Sequence, residues 1–271
     1  MDGVLLIDKP AGISSHGVVA QVRRALGTRR VGHAGTLDPF ATGLLLVLVG
    51  RATRAQRFLM EQPKAYSAEA HLGWTSTTGD PEGELIETGV IAVDPPLLPT
   101  GEMAQRPPVY SAIHIDGERA YKRARRGEEV EIPERDVTLT RFVQTRREGD
   151  RAWVEIECSS GTYVRSLVAD HLADAYCAAL RRTAIGPFCV ADAIAPAQAT
   201  EEGMVELGAA LSLVLPARDL EPADVRAIVF GQRIDGTASG LLLLRDPDGA
   251  VAIAREGEPG RLRPVVGFRA E

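Results

Sequence analysis

The sequence has few cysteines, no excess of positive charge and no long apolar run, and each shortage argues against a class of protein. Its three cysteines, Cys158, Cys177 and Cys189, lack the paired spacing of a zinc site and do not suggest a disulfide framework. No apolar stretch approaches the ~18 residues that a membrane-spanning helix needs. The first residues lack the basic segment of a secretory signal. We therefore expect reduced, buried cysteines and a cytoplasmic protein.

The formal net charge of -6 argues against a protein that binds nucleic acid through a uniformly basic surface. It leaves RNA open as a partner, because binding depends on where the basic residues cluster. With 271 residues, 45% of them hydrophobic and 25% charged, the chain is typical of a globular protein with a large and a small domain. The composition changes near Leu215 and Pro216, so we predict domains at residues 1–214 and 215–271.

Hydrophobic periodicity predicts a mixture of strands and helices, hence an α+β fold. The predicted strands lie at residues 3–7, 44–49, 66–72, 84–88, 141–143, 152–158, 241–244 and 251–254. A helix is predicted after Ser14 or Ser15, because Val18, Val19 and Val22 have helical spacing and Gly27 follows. Further helices are predicted at residues 164–172 and 223–230. Residues 91–108, rich in proline and glycine, are predicted to form a loop.

Residues 32–43 carry one acidic side chain, Asp38, within a loop of small residues. Glycines at Gly32, Gly35 and Gly43 leave room for the backbone of another molecule. Pro39 biases Asp38 toward an extended conformation, since its ring disfavours the α region for the residue before it. An acidic side chain presented in this way suits nucleophilic chemistry. An ordinary Asp-Pro turn is the alternative.

The sequence of this loop resembles the signature of TruB-type tRNA pseudouridine synthases, G-H-x-G-x-L-D-P-x-A-x-G. Further motifs of that family occur before and after the loop, in the same order as in the family. They are D-K-P from Asp8, Y-x-x-x-x-x-L-G from Tyr66, P-P-x-Y-S-A from Pro107, G-T-Y-V-R from Gly161 and L-R-R-T-x-x-G-x-F from Leu180. The resemblance implies a large mixed or antiparallel sheet flanked by helices, with a small PUA-like, mostly-β C-terminal domain. It also implies isomerisation of uridine to pseudouridine in the T-loop of tRNA, at tRNA position 55, by a monomer that needs no cofactor and no metal.

The resemblance assigns roles to four of the matched residues. Asp38 would be the nucleophile, and Arg165 would form an ion pair that orients it. Tyr66 would stack on the flipped target base and accept a proton, while Leu180 would line the other side of the uracil pocket. Without the resemblance, Tyr66 is explained equally well as a core tyrosine, and the alternative for Arg165 is an arginine that points into solvent. However, Arg165 lies in the first turn of a helix, where the helix dipole disfavours a cation unless an anion is near.

Three other matched residues are predicted to support the loop or bind substrate: Lys9, His33 and Arg181. Lys9 would support the active-site loop from the turn before it, or be a solvated turn lysine. His33 would hold the target nucleotide, or cap its own backbone. Arg181 would bind substrate. The alternative is that Arg181 and its neighbour Arg182 are ordinary surface charges.

The most basic stretch, residues 119–127, contains Arg123, Arg125 and Arg126 and no acidic residue. On a helix, its cationic side chains would attract phosphates without reading sequence. A solvated charged face is the alternative. One departure from the family is His114, where a lysine is usual.

Two other classes of function remain open at this stage. A non-catalytic RNA-binding or RNA-folding module would be expected to lack Asp38, Tyr66 or Arg165, and all three are present. A glycosidase with an aspartate nucleophile needs a second carboxylate. Asp8 and Asp80 are the nearest candidates for one, and neither has a supporting sequence context.

Overall fold

The computed structural model describes residues 1–111, 114–115, 117–119, 123, 126, 128 and 132–269. The chain forms two compact units. The first contains residues 1–38, 44–62 and 186–271, and the second contains residues 39–43 and 63–185. Each unit combines helices with β-sheet, so the predicted α+β class is confirmed. The predicted domain boundary after residue 214 stays a prediction.

Strands outnumber helices among the described residues. In chain order the strands are β1 (Gly3–Lys9), β2 (Val31–His33), β3 (Thr42–Val49), β4 (Lys64–Leu72), β5 (Trp74–Ser76), β6 (Leu85–Glu87), β7 (Gly101–Gln105), β8 (His114–Ile115), β9 (Glu118–Arg119), β10 (Arg135–Glu148), β11 (Arg151–Cys158), β12 (Ala175–Ile185), β13 (Phe188–Cys189), β14 (Val205–Glu206), β15 (Ala217–Asp219), β16 (Ile234–Asp235), β17 (Leu241–Asp246), β18 (Gly249–Glu258) and β19 (Arg261–Gly267). The α-helices are α1 (Ser15–Ala25), α2 (Gln56–Met60), α3 (Val164–His171), α4 (Leu207–Ser212) and α5 (Pro222–Val229), and 3-10 turns lie at Gly50–Ala55, Val190–Asp192 and Pro196–Gln198.

In the first unit, helix α1 packs on strands β1 and β3. The side chain of Ser14 caps the helix by accepting a hydrogen bond from the Gly17 backbone N–H at 3.0 Å. One face of α1, carrying Val18 and Val22, is buried in a core with apolar residues of β1 and β3. Strand β3 is buried along nearly its whole length, as its continuous apolar run predicts. Strands β2 and β3 pair antiparallel, so the chain between them forms a closed loop.

The first unit also contains a five-stranded sheet in its C-terminal part, in the order β15-β17-β18-β19-β16. Helix α5 contributes Ile228 to a core that includes Leu244, Val251 and Leu262 from this sheet. Helix α5 and strands β17 and β18 agree with the sequence prediction. The short strands β15 and β16 and the longer β19 were not predicted, because their residues show little apolar alternation.

The second unit is built on strands in the order β12-β4-β11-β10-β7. Neighbouring strands of this series pair antiparallel. Thr42 and Gly43 pair in parallel with Arg181 and Arg182 of β12, which makes the sheet mixed. Strand β4 alternates strictly between buried and half-buried side chains, as predicted, and this alternation places Tyr66 on the buried face.

The structure corrects three predictions about individual segments. Residues 91–108 are not one loop, because β7 pairs with β10 inside this range. Most side chains of β7 are exposed, so it carries no apolar alternation. Arg119 lies in a two-residue strand rather than in a helix. Cys189 is exposed, whereas Cys158 and Cys177 are buried, and all three are reduced.

Within the described residues, no helix has the length and apolar character that crossing a membrane requires.

Candidate active site

Asp38 lies in the loop between β2 and β3 of the first unit and is half-buried. The backbone N–H of Ala34 donates to the carbonyl of Leu46 at 2.9 Å, which closes the base of the loop. Leu37, the residue before Asp38, is buried, and the hydroxyl of Ser15 bonds both of its backbone groups. These hydrogen bonds therefore fix the backbone of the loop immediately before Asp38.

Lys9 and His33 lie in the same unit, Lys9 at the end of β1 and His33 at the start of this loop. The Lys9 ammonium group is fully buried and donates to the carbonyls of Ile13 at 2.7 Å and Pro10 at 3.0 Å. These contacts are those of a loop-supporting residue and not of a solvated turn lysine. The His33 carbonyl accepts from the side chain of Gln56 at 2.9 Å. The imidazole ring of His33 contacts the exposed ring of His16 edge to face, with centroids 5.5 Å apart. Contact of either residue with substrate stays a prediction.

Tyr66 and Leu180 come together in the second unit. Their strands pair so that Ala68 is opposite Leu180 and Tyr66 is opposite Arg182. Residues opposite each other in an antiparallel pair share one face of the sheet, so Tyr66 and Leu180 are diagonal neighbours on the same face. Both are nearly buried, which suits an apolar pocket floor.

The register of β12 separates the two arginines of the L-R-R-T motif. Arg181 is opposite Ser67 and therefore lies on the other face from Tyr66 and Leu180. Arg182 shares the face of Tyr66 and is only 1% exposed. The reading of Arg182 as a surface charge was wrong. The strand alternation was the signal that could have found it, because Leu180 and Arg182 are two residues apart.

Arg165 is buried in the first turn of α3 and holds a carboxylate. Its guanidinium group lies 3.1 Å from Asp80, and the exposed fractions of the two side chains are 3% and 6%. It also donates to the carbonyls of Thr78 at 2.6 Å and Tyr110 at 2.9 Å. The expectation that an arginine at this position needs an anion is therefore confirmed, and Asp80 supplies one. Its pairing with Asp38 stays a prediction.

Asp80 is the functional candidate whose context the sequence did not reveal. One carboxylate oxygen accepts from the Thr78 hydroxyl at 2.6 Å and from the Glu82 backbone N–H at 3.0 Å, while the other faces Arg165. The tight turn at residues 77–83 thus orients Asp80 toward the helix. The sequence analysis considered Asp80 only as a second carboxylate for a glycosidase, and it did not predict the pairing with Arg165.

The start of α3 is fixed by side chains from two neighbouring strands. Gln105 of β7 accepts from the Tyr163 backbone N–H at 2.8 Å and donates to the Tyr163 carbonyl at 2.9 Å. The guanidinium group of Arg135 lies over the Tyr163 ring, 4.9 Å from its centroid. Gly161 lies beside that guanidinium group and has a φ of 88°, a backbone conformation that favours glycine. The G-T-Y-V-R motif is therefore held where Arg165 enters its pocket.

Of the predicted basic stretch, Arg123 and Arg126 are described, and Arg125 lies outside the described residues. Arg126 binds both carboxylate oxygens of Glu118 at 2.7 Å and also contacts Glu128. Arg123 lies 2.9 Å from Glu128. The hydrogen bonds that Arg126 donates to Glu118 raise the pKa of Arg126. The hydrogen bonds that Arg126 and Arg123 donate to Glu128 lower the pKa of Glu128. Acidic residues on either side of the stretch thus balance part of its charge.

A second basic surface belongs to the first unit. Asp38 is the one acidic residue between Lys9 and Met60. The arginines of this segment are exposed: Arg23, Arg24, Arg29, Arg30, Arg51, Arg54 and Arg57. Several are fixed by the fold, since Arg30 contacts the Thr53 hydroxyl and Arg54 donates to the Gly267 carbonyl at 2.6 Å. This segment of the first unit is therefore rich in exposed arginines in a chain that is acidic overall, and Arg51 is paired with Asp2 at 2.7 Å.

Comparison with known proteins identifies the family. A sequence model described as "TruB family pseudouridylate synthase (N terminal domain)" matches residues 23–164. The chain belongs to this family. A Thermobifida fusca protein named "tRNA pseudouridine synthase B" is 45% identical, across 98% of this chain and 98% of its own length. A protein of the same name from Corynebacterium aurimucosum is 41% identical, across 94% of this chain and 92% of its own length. The resemblance inferred from the motifs is confirmed, and with it the enzyme class, a pseudouridine synthase.

Solved structures share the fold of this TruB-family chain. A chain of the Cbf5-Nop10-Gar1 complex superposes with a TM-score of 0.72 across 99% of this chain and 85% of its own length, at 23% identity. A chain of the archaeal box H/ACA sRNP Nop10-Cbf5 complex gives a TM-score of 0.70 across 99% and 86%, at 22% identity. The predicted fold is confirmed by this likeness.

Proposed function

We propose that this enzyme converts a uridine in the T-loop of tRNA to pseudouridine, at tRNA position 55, with Asp38 as the nucleophile. The reaction breaks the bond between N1 of uracil and the ribose, rotates the base and joins C5 to the same ribose carbon. The C5 proton is lost and N1 gains one, so substrate and product contain the same atoms and no oxidant or reductant takes part. The two relatives above, named for tRNA, support this choice of substrate.

The Asp38 loop is the observation that carries the proposal. Asp38 is half-buried on a loop whose backbone is fixed beside it, which keeps a reactive carboxylate accessible yet oriented. A carboxylate in this position can attack the ribose carbon or the base, or stabilise positive charge on the ribose. Arg165, buried and fixed by Asp80, is the residue we propose to orient Asp38.

Tyr66 and Leu180 are proposed to hold the uracil ring after it leaves the loop stack. Base flipping costs a few kcal/mol, which stacking and edge hydrogen bonds in the pocket offset. Their shared face and near-complete burial support this role, and the Tyr66 hydroxyl is a candidate proton acceptor. Arg182 lies on the same face, so we add it to the residues of the pocket.

The exposed arginines of residues 23–57 are proposed to bind the phosphate backbone of the RNA. Such contacts give affinity without sequence preference and position the target loop. We propose that Arg123, Arg125, Arg126, Arg181, His33 and Lys9 assist as binding or supporting residues. The enzyme is proposed to act as a monomer in the cytoplasm, the compartment of its tRNA substrate.

The test is to incubate the protein with an unmodified T-arm transcript and map pseudouridine. We expect product with the wild-type protein and none with Asp38→Asn, whose amide keeps the size but not the charge. Binding of the RNA should stay within a few-fold, because Asp38→Asn removes no cation. Asp192→Asn, at an exposed carboxylate, is the matched control and should keep the wild-type rate. Binding without product from the wild-type protein would favour a non-catalytic RNA-binding module.

A further inference from the structure

Ser15 joins the first turn of α1 to the backbone beside Asp38. Its hydroxyl accepts a hydrogen bond from the Leu37 N–H at 2.9 Å and donates one to the Leu37 carbonyl at 3.1 Å. A serine hydroxyl has one donor and two acceptor positions, so it can make both bonds at once. Ser15 is 1% exposed and Leu37 is 4% exposed. The contact is therefore shielded from water, which would otherwise compete for the same backbone groups.

The position of Ser15 is itself fixed from the other side. The buried Lys9 ammonium group binds the Ile13 carbonyl at 2.7 Å, which sets the turn before the helix. Val18, on the buried face of the helix, anchors it in the core. A hydroxyl placed in this way acts as a rigid attachment point for the loop.

The Asp38 loop needs such an attachment because its own sequence offers little rigidity. The loop contains small residues such as Ala34 and Ala41, and Gly35 has a φ of 103°. Pro39 restricts the backbone after Asp38, and the Ser15 contact restricts it before Asp38. Together they define the direction in which the carboxylate leaves the backbone.

We propose that Ser15 is a positioning residue for the isomerisation: it fixes Leu37 and so sets the place of the Asp38 carboxylate. The inference rests on the proposed function and adds a residue that touches neither RNA nor the reacting atoms. Without the hydroxyl, the Leu37 N–H and carbonyl lose their buried partner and the loop shifts. A misplacement of about 1 Å at a reacting group can slow a reaction about 100-fold.

The experiment compares Ser15→Ala and Ser15→Thr with the neighbouring control Ser14→Ala. Single-turnover rates on saturating T-arm RNA, RNA dissociation constants and melting midpoints are measured for each, with the rates taken well below the lowest midpoint. Ser15→Ala is expected to slow the rate about 100-fold while RNA affinity stays within a few-fold. Ser15→Thr keeps the hydroxyl and should recover most of the rate. Ser14→Ala loses the helix cap, so its midpoint should fall while its rate stays at the wild-type value.

Each other outcome overturns the proposal or the function beneath it. No product from the wild-type enzyme rejects the proposed function. With an active wild type, a wild-type rate for Ser15→Ala rejects the positioning role. The role is also rejected if Ser14→Ala slows the rate as much as Ser15→Ala, or if Ser15→Thr is as slow as Ser15→Ala. If Ser15→Ala does not fold, Ser15→Cys takes its place, because a thiol is similar in size but a weak hydrogen-bond partner. A wild-type rate for Ser15→Cys then rejects the proposal.

Discussion

Replacing Asp80 by asparagine tests how strongly the second unit depends on the buried pair with Arg165. The exposed fractions of the two side chains are 6% and 3%, so water cannot replace the lost charge. Removing one partner of a fully buried pair typically costs about 3–5 kcal/mol, because the other charge stays buried. Arg165 keeps two carbonyl acceptors, on Thr78 and Tyr110, so we expect the low end of that range. The predicted loss for Asp80→Asn is about 3 kcal/mol.

Glu155→Gln is the matched control for this prediction. It removes an equivalent charge from an ion pair with Arg141, at 2.8 Å, whose side chains are 51% and 44% exposed. Exposed pairs contribute about 0–1 kcal/mol, so this variant should be nearly silent. Urea unfolding at an unchanged m-value gives both numbers.

A double-mutant cycle with Arg165→Met isolates the interaction itself. The double variant buries no uncompensated charge, so its loss should be smaller than the sum of the single losses by about 2 kcal/mol. Additive losses, or an Asp80→Asn variant as stable as Glu155→Gln, would refute the reasoning. Asp80→Asn should also slow the reaction at saturating RNA, because Arg165 loses the carboxylate partner of its guanidinium group and is held only by the Thr78 and Tyr110 carbonyls.

Two further predictions concern the backbone and the basic stretch. Gly43→Ala should lower the free energy of unfolding, measured in urea, by more than about 2 kcal/mol, because Gly43 has a φ of 100° and a Cβ would lie 2.2 Å from the Arg182 carbonyl oxygen. Gly12, with a φ of 78° and open space around it, is the control, and Gly12→Ala should cost about 1–2 kcal/mol. If Arg126 contacts one phosphate, Arg126→Gln should flatten the slope of log affinity for T-arm RNA against log salt by about 0.7–0.9. Glu118→Gln should strengthen binding at low salt, since it removes the carboxylate that chelates Arg126; an unchanged slope and affinity in both variants would assign this stretch to a solvated face.

The sequence predicted those parts of the fold that repeat a simple pattern. The capped helix α1, the buried strand β3 and the alternating strand β4 were all predicted correctly. Strand β7 was missed because an exposed edge strand carries no apolar alternation. Alternation within residues 179–182 places Arg181 and Arg182 on opposite faces, but the register of β12 is interrupted on both sides of this segment. A local pattern does not reveal such interruptions.

For the candidate site, the motifs predicted the functional residues but not the residues that bind and orient them. The requirement for an anion near Arg165 followed from the helix dipole, but its identity did not, because Asp80 is brought there by a turn far away in sequence. Likewise, residues 119–127 contain no acidic residue, so the sequence alone suggested an uncompensated positive charge. The carboxylates that bind Arg126 and Arg123 belong to Glu118 and Glu128, which lie just outside this stretch.

Asp38 and Arg165, the two residues proposed to act together, each follow a residue whose backbone is bound by a buried polar side chain. Asp38 follows a residue whose N–H and carbonyl are both bound by the Ser15 hydroxyl. Arg165 lies two residues after Tyr163, whose N–H and carbonyl are both bound by the Gln105 amide. In each case a buried polar side chain from another element occupies both backbone groups of one residue. Because an unpaired buried backbone group is costly, that residue has one favourable position. The reactive group one or two residues later then starts from a fixed backbone position, although its own side chain makes no bond to the serine or the glutamine that supplies the support.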